Sequence, residues 1–136
     1  MDSYCILIVD DDIEDIELFI EAAHEVDPSI KCLSAQNGVE GIHLIRSLEI
    51  KPDYVFVDLN MPKMNGKQFV AEIRKDASCN AIRLIIYTTS WLEKDCQETA
   101  LLGANGFITK PTSQVRLCKV IAEIVRKPYP GKVSKP

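Results

Sequence analysis

The chain has 136 residues, 46% of them hydrophobic and 26% charged, and a formal net charge of −4. That length fits one ordinary domain with a core of its own, without metal or disulfide staples. No Lys/Arg run is long enough to form a stripe, which argues against direct nucleic-acid binding. The longest apolar runs fall far short of the roughly 20 residues that a membrane span needs.

The first apolar run, CILIV at 5–9, predicts strand β1 and ends in Asp10-Asp11-Asp12, three acids unlike anything in a signal peptide. Ile16, Phe19, Ile20 and Ala23 then follow the i, i+3, i+4, i+7 spacing of a helix, α1. A weaker run at 31–35 predicts β2, and 39–48 predicts α2. The run YVFV at 54–57 predicts β3; it ends in Asp58 and a loop carrying Met61-Pro62 and Asn65-Gly66. Helix α3 is expected over 67–75, and β4 over 84–87, ending in Thr88-Thr89-Ser90. Helix α4 is expected over 92–102, stopped by Gly103. Strand β5 is expected over 106–108, just before Lys110. Leu117, Val120, Ile121, Ile124 and Val125 give the helical spacing of α5.

Apolar runs this continuous suggest strands buried on both faces, as in a parallel sheet. Five strands alternating with five helices predict right-handed crossovers and a doubly wound α/β fold, a three-layer α/β/α sandwich around a five-stranded parallel sheet. Residues 1–127 are expected to form that domain. Residues 128–136, PYPGKVSKP, have three prolines and no periodicity and are expected to be a flexible tail. The five cysteines are scattered without a C-x-x-C pair, which suggests reduced thiols in a cytoplasm, with neither a disulfide framework nor a zinc site.

Ligands of open α/β sheets bind at the carboxyl ends of the strands. Here those ends carry Asp10-Asp11, Asp58, Thr88 and Lys110. Each alone has an ordinary explanation as a cap, a turn hydroxyl or a solvated charge. Together they make chemical sense. Asp10, Asp11 and Asp58 would gather three negative charges, which is costly without a cation, and a few carboxylates with waters suit Mg2+. A lysine and a hydroxyl beside them suit a phosphoryl group, and an aspartate can accept one as an acyl phosphate. Asp12 is assigned to capping α1. His24 and His43, away from the strand ends, are expected to be surface or half-buried residues.

At these four strand ends the sequence resembles the receiver domain of two-component response regulators, a flavodoxin-like (βα)5 family. "ILIVDDD", "VFVDLNMPKMNG", "IIYTTS" and "GANGFITKP" match that family's motifs in order, and the likeness spans residues 4–127. The resemblance implies Asp58 as phosphoacceptor and Mg2+ held by Asp10, Asp11, Asp58 and the Asn60 backbone carbonyl, with Asp11 the more direct ligand. It implies Thr88 and Lys110 as phosphoryl contacts, a cis Lys110-Pro111 bond, and a switch in which Phe107 follows Thr88. The implied partners are a sensor histidine kinase or a histidine phosphotransfer protein and a separate downstream target, with homodimerisation possible through the α4-β5-α5 face. Beyond Mg2+-dependent self-phosphorylation and slow self-dephosphorylation no enzyme activity is implied. A haloacid-dehalogenase-type phosphohydrolase would carry its nucleophile as D-x-D on its first motif strand and would need a cap insertion. A phosphorylation-independent scaffold would normally show a broken site.

Overall fold

The computed structural model describes residues 4–126. The proposed tail at 128–136 lies outside them. Within that span, the five strands are β1 (Cys5–Val9), β2 (Lys31–Ala35), β3 (Tyr54–Val57), β4 (Arg83–Thr88) and β5 (Gly106–Thr109). They form one sheet in the order β2-β1-β3-β4-β5, and every neighbouring pair is parallel. The helices are α1 (Ile13–Val26), α2 (Gly38–Ser47), α3 (Gly66–Arg74), α4 (Glu93–Leu102) and α5 (Gln114–Val125). A short 3-10 turn at Ala77–Cys79, capped by Asp76, was not foreseen from sequence.

Alternation along each strand feeds two cores, one per face of the sheet. Leu7, Val9, Val55, Val57, Leu84 and Ile86 point to the side covered by Ile42, Ile45, Phe69, Val70 and Ile73 of α2 and α3. Ile6, Ile8, Phe56, Ile85 and Tyr87 point to the side covered by α1 and α5, where Phe19 meets Phe56 and Tyr87. Continuous apolar strands thus follow from burial on both faces.

The winding reverses between β1 and β3, since β2 lies on one side of β1 and β3 on the other. That reversal opens a crevice at the strands' carboxyl ends. Backbone hydrogen bonds extend the ladders one residue past the strands: Asp10 N–H donates to Ala35 O at 3.1 Å, and Asp58 N–H to Val9 O at 3.0 Å. The two acids are therefore held by the sheet itself.

Helix α4 is held differently from the others. Only Thr99 in it is buried, and no side chain caps its start. Side chains of α3 tie it at both ends: Lys67 Nζ reaches Asp95 at 2.9 Å and also Glu98, while Arg74 Nε donates to Gly103 O at 3.0 Å. Gly103 sits at φ 115°, where a glycine closes the helix without the penalty of a Cβ.

One expectation is corrected. The Lys110–Pro111 bond is trans, the form favoured intrinsically for X–Pro. A cis bond is not needed to aim the lysine, because β5 already does so: Lys110 N–H donates to Thr88 O at 2.7 Å, and the side chain turns inward to the acids of β1 and α1.

Candidate functional site

The strand-end residues converge. Carboxylate oxygens of Asp10, Asp11 and Asp58 all lie within 4.8 Å of one another. Asp10 is fully buried, Asp58 is nearly so, and Asp11 is exposed at the rim. Asp58 Oδ1 accepts the following N–H, from Leu59, at 2.8 Å, which fixes the plane of the carboxylate. Asp10 Oδ1 accepts Asp12 N–H at 3.0 Å.

Lys110 Nζ lies 2.8 Å from Asp10 Oδ2, 2.7 Å from Asp15 Oδ2 and 3.8 Å from Asp58 Oδ2. It also stands 5.5 Å from the centre of the Tyr87 ring, within cation–π range. Burial by itself would lower the Lys110 ammonium, but the hydrogen bonds to Asp10 and Asp15 outweigh it and raise the group above the ordinary lysine value. Burial pushes Asp10 up and the Lys110 hydrogen bond opposes that rise. Burial likewise lifts the Tyr87 hydroxyl to about 12. An ionised, fully buried Asp10 therefore depends on nearby positive charge.

Thr88 is fully buried at the end of β4, and Ser90 N–H approaches its hydroxyl at 3.4 Å. Thr88 and Phe107 lie on the same face of the sheet, since Ile86 pairs with Phe107 and Thr88 with Thr109. Phe107 is half-buried and, with Cys96, Thr99 and Ala100 of α4, lines a cavity of about 220 Å3.

Beside the acids a cleft of about 430 Å3 opens between the β3–α3 loop and α4, lined by Asn60, Met61, Asn65, Lys67 and Asp95 among others. Ser90 Oγ donates to Asp95 Oδ2 at 2.7 Å, so the strand-four loop is tied to α4. That hydrogen bond, with Lys67, holds the Asp95 carboxyl below its usual range. Trp91 stands out at 78% exposure. His24 and His43 are exposed on α1 and α2, as expected. Lys63, exposed in the loop, adopts φ 68°, a left-handed conformation uncommon outside glycine.

The carboxylates supply only oxygen ligands, two of them buried or nearly so, and Asp11 at the rim lines the adjoining cleft. A hard divalent cation fits that donor set. Asp12 does what its position suggested: its Oδ1 accepts N–H groups of Glu14 at 3.0 Å and Asp15 at 3.2 Å. We therefore expect Asp12→Ala to cost about 1 kcal/mol of stability and to leave Mg2+ affinity nearly unchanged. Asp11→Ala should weaken Mg2+ severalfold. Calorimetric Mg2+ titration of both variants checks this; equal losses would contradict the division of roles.

Two features of the site were missed from sequence. Asp15 reads as one more favourable first-turn acid of α1, and nothing local reveals that it meets a lysine 95 residues away. The Lys67–Asp95 pair, 28 residues apart, is similarly non-local.

The response regulator receiver domain model matches residues 6–122. The chain is 37% identical over 120 residues to protein PilH of Pseudomonas aeruginosa, covering 88% of this chain and 96% of that protein. It is 30% identical over 123 residues to the sensor histidine kinase CheAY of Helicobacter pylori, covering 90% of this chain and 15% of that much longer protein. Among solved structures it resembles the phosphorylated cyanobacterial phytochrome response regulator RcpA, with TM-score 0.82, 27% identity, and 90% and 91% of the two chains covered. It also resembles the Mn2+-bound response regulator Rcp1, with TM-score 0.77, 25% identity, and 89% and 91% covered.

Proposed function

This chain belongs to the response regulator receiver family, and from that we propose that it accepts a phosphoryl group on Asp58 from a partner's phosphohistidine. Two-component signalling is the family's business, with aspartyl phosphorylation and Mg2+ its general features. The observation that carries the specific reading is the cluster itself. Asp58 is aimed by the sheet into a pocket of carboxylates, with Lys110 at 3.8 Å and Thr88 buried at the next strand end.

In the transfer, an Asp58 oxygen forms a bond to phosphorus while the phosphorus–nitrogen bond of the phosphohistidine breaks. The imidazole departs with that electron pair. Asp10, Asp11 and Asp58 would hold Mg2+, with the Asn60 carbonyl as a further ligand, and the ion when bound neutralises charge on the phosphoryl oxygens. Lys110 supplies the second positive charge. Its ammonium is always protonated at neutral pH, given the raised value above. Thr88 offers its hydroxyl to a phosphoryl oxygen. As it moves, Phe107, on the same face and against α4, repacks, and the α4-β5-α5 face changes shape. Phe107 has no hydroxyl, so this switch works by packing alone. That face is where a downstream protein or a second copy would bind. No helix among the described residues is long and apolar enough to cross a membrane.

The test is transfer from an autophosphorylated sensor histidine kinase of the same cell. Labelled phosphate should leave one kinase for the wild-type chain and stay on that kinase with Asp58→Asn. Transfer to both proteins alike would overturn the reading.

The lifetime of the acyl phosphate depends on water reaching the in-line position. Asn60 and Ser90 flank the acceptor region, and neither is a strong general base, so self-dephosphorylation should take on the order of minutes. Ser90→Glu would lose the hydroxyl bond to Asp95 and place a second carboxylate beside it. We expect the rate of phosphate loss after donor removal to change severalfold in this variant, with phosphorylation retained. An unchanged rate would mean that water access is set elsewhere, with Thr89 the next residue to test.

A further inference from the structure

The Lys110 ammonium has three donors. Two are spent at hydrogen-bonding distance on Asp10 and Asp15, and the Asp58 oxygen at 3.8 Å lies beyond that range. Asp10 is part of the acid cluster at the strand ends, but Asp15 is not. It sits in the first turn of α1, its own N–H held by Asp12, with its side chain 32% exposed between the buried ammonium and solvent. From this geometry, and resting on the functional reading above, we infer that Asp15 is a positioning residue that draws Lys110 away from Asp58, leaving the Asp58 oxygens open to a cation and competing with an incoming phosphoryl group for the ammonium.

The inference has two consequences of opposite sign. Without the Asp15 charge, the ammonium settles on the next carboxylate within reach, which is Asp58. There it competes with a divalent cation, so Mg2+ binding weakens. Once Mg2+ is saturating, the same freed ammonium is available to a phosphoryl oxygen, so a phosphoryl mimic binds more tightly. A damaged fold would weaken both.

The pair is partly solvated, so the effects should be modest: about threefold to tenfold each. The experiment measures Mg2+ affinity by calorimetry, and beryllofluoride affinity at saturating Mg2+, for wild type, Asp15→Asn and Asp15→Glu. Asp15→Asn should weaken Mg2+ and tighten beryllofluoride. Asp15→Glu keeps the charge and should return both toward wild type. A field effect of the lost charge alone is separated by a cycle with Lys110→Met: if Asp15 acts through Lys110, Asp15→Asn moves Mg2+ affinity far less in that background. An equal effect in both backgrounds would overturn the inference, as would unchanged affinities or two shifts of the same sign. If wild type bound no beryllofluoride at all, the functional reading would fall and this inference with it. A wild type that binds, matched in both affinities by Asp15→Asn, would overturn this inference alone.

Discussion

Lys110→Met, measured without divalent cations, is expected to lose about 3 kcal/mol of unfolding free energy, because removing one partner of a buried ion pair leaves the other charge uncompensated. Lys110 is the cation shared by Asp10, Asp15 and Asp58, and its side chain is only 11% exposed. The loss should depend on pH in a definite direction. Burial already raises Asp10 above its unfolded value of 3.8. A raised carboxyl favours the folded state below its unfolded value and loses that contribution as pH climbs through the folded one. Without the opposing lysine, Asp10 rises further, so the deficit should shrink as pH falls toward the ordinary carboxylate range. Mg2+ replaces the missing charge, so it should stabilise Lys110→Met more than it stabilises wild type. Urea unfolding over a series of pH values, with and without Mg2+, tests all three statements. A midpoint equal to wild type in the absence of cation would contradict the first.

Gly66→Ala should be nearly as damaging, for a reason of shape. A Cβ at Gly66 would collide with the Asp58 carbonyl oxygen and come within 2.8 Å of Leu59 Cα. Both are backbone atoms and cannot rotate away. Gly66 N–H also donates to Leu59 O at 2.9 Å, closing the loop that follows the acceptor. Either that loop or the start of α3 must shift, at a cost of about 2 kcal/mol, and the shift falls on the backbone that carries Asp58. We expect a lower melting temperature together with slower phosphorylation at saturating Mg2+. Gly41→Ala is the comparison: its Cβ would meet only side chains, Phe69 at 3.0 Å and Val9 at 3.2 Å. It should cost stability while leaving the phosphorylation rate close to wild type. Identical rates in Gly66→Ala and wild type would contradict the coupling.

The fold was legible because burial on both faces writes the central strands as unbroken apolar runs. The predicted β1 and β3 end where the observed ones do. Strand β2 gave the weaker signal because it is the sheet edge and only Ala35 in it is fully buried. Helix α4 buries only Thr99 and so shows little apolar spacing; its end was readable through Gly103. The 3-10 turn spans three residues, too few for any period to show. The strand-end residues were legible because a parallel sheet brings all its carboxyl ends to one edge, so Asp10, Asp58, Thr88 and Lys110 had to meet. What could not be read was how the charges pair there. Which carboxylate holds Lys110 depends on side-chain reach from α1, and Asp15 carries no mark distinguishing it from Glu14 or Glu17. The trans bond at Pro111 belongs to the same class: it depends on how β5 leaves the sheet, which the dipeptide does not encode.

The most direct test of the central claim is the intact mass of the protein after incubation with Mg2+ and acetyl phosphate. The wild-type chain should gain one acid-labile phosphoryl group and Asp58→Asn none, because Asp58 is the acid that the third strand delivers to the cluster. Equal labelling of the two proteins, or a wild type that gains none, would contradict it.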